Sequence, residues 1–132
     1  MWKLLAVAVA AWGVAAGAQS PRVKSTTPVS GAGMYRSYCA SCHGVDGRGK
    51  GPAAPAMKVP PSDLTALAKR SGGKFPQIRV FQIIEGDAAL AAHGSREMPV
   101  WGLIFRQMGG SDEARVKLRV RNLTKYIESI QK

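Results

Sequence analysis

Cys39-Ala40-Ser41-Cys42-His43 is the stretch that most constrains what this chain can become. A Cys-x-x-Cys pair followed at once by histidine is the attachment signature for c-type haem, in which both thiols add to vinyl groups of the porphyrin. The tether then leaves His43 beneath the iron as its proximal ligand. Other chemistries use the same cysteine spacing. A structural zinc site needs four ligands, and with Cys39, Cys42 and His43 the chain offers only the distant His93, with no second pair to close a tetrahedron. A thioredoxin-like couple sits in a βαβ pattern, whereas here a helical pattern precedes Cys39 and a glycine-rich loop follows His43. A thiol redox pair or a plain exported disulfide remains open on these five residues alone.

The address supports the haem reading. Lys3 is followed by an uninterrupted apolar run from Leu4 to Ala11 and by the small residues Ala16-Gly17-Ala18, the pattern of a secretory signal cut after Ala18. The stretch from Leu4 to Ala18 is Ala-rich and Gly-broken, and it falls short of the roughly twenty residues that span a bilayer. Residues 1–18 are therefore expected to be a signal peptide and the mature protein to be periplasmic, membrane-anchored only if the segment is retained. Residues 19–30, with Pro21, Pro28 and no apolar period, read as a flexible linker. What is left, 31–132, is one domain's worth of chain. A domain this small buries only about two thirds of its unfolded surface, so a large flat cofactor would supply core that the side chains lack. The haem-free chain is expected to fold poorly.

The formal net charge of +11 speaks to partners: acidic protein surfaces, an anionic membrane surface or nucleic acid. Nucleic acid is set aside, because an exported chain rarely meets it and the basic residues lack the aromatic interleaving of a single-strand platform.

Helical patterns follow in order. Gly31 to Cys42 reads as a first helix with Gly31, Tyr35 and Cys39 four apart on one face. Gly44 to Pro61 is too rich in glycine and proline for helix or strand and forms a loop. Asp63 and Ser62 offer caps for a short helix over Leu64 to Arg70, ended by Gly72-Gly73. Pro76 opens another, stopped by Gly86, whose Val80, Ile83 and Ile84 should close the cofactor pocket. Asp87 to Ala92 adds a turn, and Leu103 to Gln107 a further one. Val116, Val120, Leu123, Ile127 and Ile130 mark a last amphipathic helix over 111–131, with Ser111 as the expected N-cap.

A second axial ligand is then sought. Met98 precedes Pro99, which fixes the local chain in an extended geometry suited to presenting a side chain. Met108 and His93 are the rivals. Trp101 is a candidate to pack on the porphyrin, its indole N–H toward a propionate.

With these residues in place the chain resembles a single-haem class I cytochrome c over roughly residues 31–131. In that family a glycine and an aromatic of the first helix cross a leucine and an aromatic of the last, and Gly31, Tyr35, Leu123 and Tyr126 stand at the matching places. The resemblance implies an all-α cytochrome c fold, with short helices and loops wrapped around one covalently attached haem c and its iron. It also implies Met98, before a proline and ahead of the last helix, as the distal ligand to His43, and the carbonyl of Pro52 as acceptor for the His43 Nδ1 proton.

Iron held by His43 and Met98 has no open position, so the expected work is electron transfer without a small-molecule substrate. Two settings fit: a periplasmic carrier between acidic redox proteins, or a haem subunit fixed to a membrane-bound oxidase, reductase or dehydrogenase. A peroxidase or sensor would require Met98 not to bind. Arg36, Arg48, Lys50 and Lys58, near the attachment site in sequence, are the docking candidates.

Overall fold

A computed structural model of the chain describes residues 30–86, 98–109 and 112–132. The proposed signal peptide, nearly all of the linker, the turn at 87–92, His93 and Ser111 lie outside the described residues.

The first helix, α1, covers residues 31–43. Its N-cap is Ser30, whose hydroxyl accepts from Gly33 N at 3.0 Å. The helix is not uniform: Gly31–Met34 is α, Tyr35–Cys39 is a wider π turn, and Ala40–His43 is α again. The π turn overturns one sequence expectation. Ala40 N bonds to Tyr35 O, five residues back, so Ala40 takes the buried place above Tyr35 that regular spacing gives to Cys39. Cys39 instead lines a cavity.

Residues 64–70 form α2, a 3-10 turn Leu64–Ala66 continued by an α turn Leu67–Arg70, capped by the Asp63 carboxylate on Thr65 N at 2.8 Å. Helix α3, Gln77–Glu85, ends where Gly86 takes the left-handed conformation that glycine tolerates best. Helix α4, Trp101–Gly109, is longer than the single turn expected near Leu103. The last helix, α5, runs Glu113–Ser129. Asp112 is its N-cap, accepting from Arg115 N, in place of the expected Ser111. A carboxylate there satisfies an orphan donor and also opposes the positive helix end.

Helix α5 is the element on which the others rest, packing against α1, α3 and α4. Its Val116, Val120, Leu123 and Ile127 are buried along the stripe that the sequence marks. At the crossing with α1, a Cβ on Gly31 would collide with the Asn122 carbonyl and lie 3.0 Å from Tyr126 Cβ, so only glycine permits this approach. Tyr35 is fully buried there, its ring 5.0 Å from that of Tyr126. At the far end of α5, Gln131 binds the short helix: its Oε1 accepts from Ala68 N at 2.8 Å, and its Nε2 donates to the carbonyls of Leu64 and Ile127, each at 2.7 Å. No strand occurs among the described residues, and no described helix is long and apolar enough to cross a membrane.

Candidate functional site

The attachment sequence sits at the C-terminal turn of α1, where four carbonyls have no partner within the helix. The glycine-rich loop meets all four. Gly44 N donates to Ala40 O, Ala53 N to Ser41 O, Gly51 N to Cys42 O and Gly49 N to His43 O, at 2.7 to 3.0 Å. From beneath, the buried Tyr35 hydroxyl donates to Gly44 O at 2.7 Å. Desolvation holds that phenol well above the ordinary tyrosine range, so it remains a donor at any working pH.

Beside this turn opens a cavity of about 770 Å³, within the range of cofactor pockets. Cys39, Cys42, His43, Met98 and Trp101 all line it. Leu67, Val80, Ile83 and Val100 supply apolar wall, and Tyr38 and Trp101 stack at 5.3 Å as one side of the chamber, backed by Phe105. Ile84 is turned into the core and does not share this wall with Val80 and Ile83. Met57, in the loop after His43, also lines the cavity. Met108 packs partly buried against the hydrophobic core and is not among the residues lining the chamber.

His43 is oriented by main chain. Its Nδ1 lies 3.0 Å from the Ser62 carbonyl, a geometry that makes Nδ1 the donor and leaves the lone pair on Nε2. This corrects the expectation for Pro52, which is exposed. The amides on either side of Pro52 are fastened to Cys42 O and Ser41 O, so the proline is turned outward at the tip of the loop, and the chain passes the imidazole later, at Ser62. Burial pulls the His43 pKa below its ordinary value, with the Ser62 bond opposing, which favours the neutral ring. Burial, aided by the neighbouring Cys42, pushes the Cys39 thiol up to about 12.

The donor set fits a c-type haem. Two thiols not joined in a disulfide, an imidazole with a fixed tautomer and a thioether all border one largely apolar chamber. Among the described residues no three His, Cys, Asp or Glu side chains converge.

The family model for cytochrome C oxidase, cbb3-type, subunit III matches residues 26–116. The chain belongs to that family. It is thus a c-type cytochrome domain, all-α as built, and membership brings with it covalently held haem c and electron transfer. No curated protein and no solved structure matches the chain.

Sequence reasoning missed Ser62, Arg70 and Arg79 at this cavity. Ser62 acts through a carbonyl, which every residue type has, so no sequence signal marks it. The two arginines are spaced along α2 and α3 and meet the same chamber only through the fold.

Proposed function

We propose that this chain is a single-haem cytochrome that passes one electron at a time between redox partners, with Cys39 and Cys42 as thioether anchors, His43 as proximal ligand and Met98 as distal ligand. The observation that carries this is the convergence of all four side chains on one chamber. Bound haem c supplies an iron that cycles between ferric and ferrous states. Cys39 and Cys42 fix the macrocycle when each S–H adds across a vinyl group. His43 presents Nε2 because Ser62 holds Nδ1. Met98 would hold the iron through its thioether, which would favour the ferrous state and leave dioxygen and peroxide no place to bind. Tyr38, Val80 and Trp101 keep the surroundings rigid and dry, so little rearranges when one charge is added.

The setting follows from charge and family. The chain acts after export, with residues 1–18 removed, on the outer side of the cytoplasmic membrane. Arg36, Lys50 and Lys58 are exposed around the attachment loop and suit small, transient, electrostatically steered encounters with acidic partners. A fixed place in a membrane-bound oxidase is the second reading. It is favoured by the family's description as an oxidase subunit and by the exposed side chains of Ile78 and Leu103.

The test is the optical spectrum of the protein expressed with haem-maturation machinery. Covalent haem with the weak far-red band of methionine sulfur on ferric iron is expected, and that band should vanish in Met98→Ala. Covalent haem without the band, together with carbon monoxide binding at neutral pH, would instead establish an open distal site.

A further inference from the structure

Two arginines line the cavity, Arg70 at the end of α2 and Arg79 in the first turn of α3. No Asp or Glu lines it among the described residues. A largely apolar chamber thus carries two cationic residues in its lining and, among the described residues, no anionic one to match them. Arg79 makes no ion pair with any described residue. Arg70 is held in place by main chain, its Nη2 donating to the Asp63 carbonyl at 2.6 Å. The Asp63 carboxylate is already occupied with Thr65, accepting from its amide at 2.8 Å and its hydroxyl at 2.7 Å.

We propose that Arg70 and Arg79 form a carboxylate clamp that receives the two propionates of the haem, orienting it in the chamber and raising its reduction potential. This rests on the haem reading above. Guanidinium is the side chain best matched to a carboxylate, planar and able to donate two parallel bonds. A haem is apolar over most of its surface and dianionic at one edge, which is the complement of this cavity. The clamp is also built into the support of the proximal ligand. Consecutive carbonyls of one segment hold the two groups, Ser62 the His43 ring and Asp63 the Arg70 guanidinium. The loop before α2 therefore sets the imidazole and the carboxylate edge relative to one another. A cation that neutralises a propionate removes negative charge from the neighbourhood of the iron, and so favours the ferrous state.

The experiment uses the haem-loaded full chain and its Arg79→Gln, Arg79→Lys and Arg70→Gln variants. Arg79 is exposed on α3, so its replacement leaves the core untouched. Two readouts are followed: the propionate bending band in the resonance Raman spectrum, and the midpoint potential by spectroelectrochemistry. The expected result for Arg79→Gln is a shifted bending band and a fall in potential equivalent to roughly a tenfold lower ferrous-to-ferric ratio, about 59 mV for one electron. Arg79→Lys should recover part of the potential, because it keeps the charge without the planar fork. Haem retained with its methionine band, but with bending band and potential unchanged in both glutamine variants, overturns the clamp alone. Failure of the unsubstituted chain to take up haem overturns the clamp and the haem reading together.

Discussion

Gly51→Ala tests whether the glycine loop is the cap of the attachment helix. Gly51 is buried and is not among the glycines with positive φ, so alanine could adopt its backbone conformation. On conformational entropy alone the substitution would stabilise the fold by about 0.4–1 kcal/mol. The surroundings reverse that sign. A Cβ at this position would stand 2.6 Å from Ala40 O and would overlap Ser41 O, both main-chain atoms of α1 that no rotamer change can move. The loop must lift, at an overpacking cost of roughly 1–3 kcal/mol. Lifting also breaks the bond from Gly51 N to Cys42 O and strands a buried pair, at roughly 1–3 kcal/mol more. The net expectation is a loss of about 1–6 kcal/mol, a fall of at least about 4 °C in the thermal midpoint of the haem-loaded protein followed at the Soret band. A midpoint that stays put or rises would show that the loop does not press on the helix end, and the capping argument would fall.

Tyr35→Phe keeps the ring against Tyr126 but removes the donor to Gly44 O. It should cost about 1–3 kcal/mol in denaturant titration, since the carbonyl stays buried. An effect below 0.5 kcal/mol, the scale of a surface change, would mean that another donor replaces the hydroxyl. Asp63 gives the pH response. Its bonds to the Thr65 side chain and amide, helped by Arg70 and Arg48, hold its pKa below the ordinary 3.8. A depressed carboxylate contributes stability above its unfolded pKa and loses it as pH falls through the folded one. Acid unfolding below about pH 4 should therefore be shallower in Asp63→Asn than in the unsubstituted chain, and parallel acid curves would exclude this role.

What could be read in the sequence was local chemistry. The cysteine–histidine run marks the wall of the cavity, and Gly31, Tyr35, Leu123 and Tyr126 announce the crossing because only a glycine opposite a long apolar stripe permits it. Gly86 closes α3 where its residue type predicts. The hidden features are those that residue type does not encode. Ser62 supports His43 with a carbonyl, and Pro52 misled because the resemblance put a proline carbonyl there while the hydrogen bonds that turn it outward belong to Gly51 and Ala53. Gln131 carries no mark in the sequence, yet its amide joins α5 to α2 across 63 and 67 residues of chain. Ser111 and Asp112 are both good caps, and only the fold shows Asp112 in use.

The π turn in α1 is the least legible feature and has the sharpest consequence. Regular α geometry returns to the same face about every 3.6 residues, so Gly31, Tyr35 and Cys39 should align. The wide turn spends one residue more, and Ala40 arrives above Tyr35 instead. The segments on either side, which carry the crossing with α5 and the attachment turn, are then related as if one residue had been inserted into a regular helix and absorbed there. Deleting an exposed residue within the turn should remove the insertion and leave both flanks in register. Ser37 is exposed, and without it the Tyr35-to-Ala40 spacing becomes four, that of a plain α-helical hydrogen bond. The Ser37 deletion is therefore expected to retain covalent haem and to melt near the unsubstituted protein, although a deletion inside a helix ordinarily rotates everything beyond it by about 100°. Loss of haem attachment in this variant, with Gly51→Ala still attaching it, would show that the π turn positions Cys39 and is not an absorbed insertion.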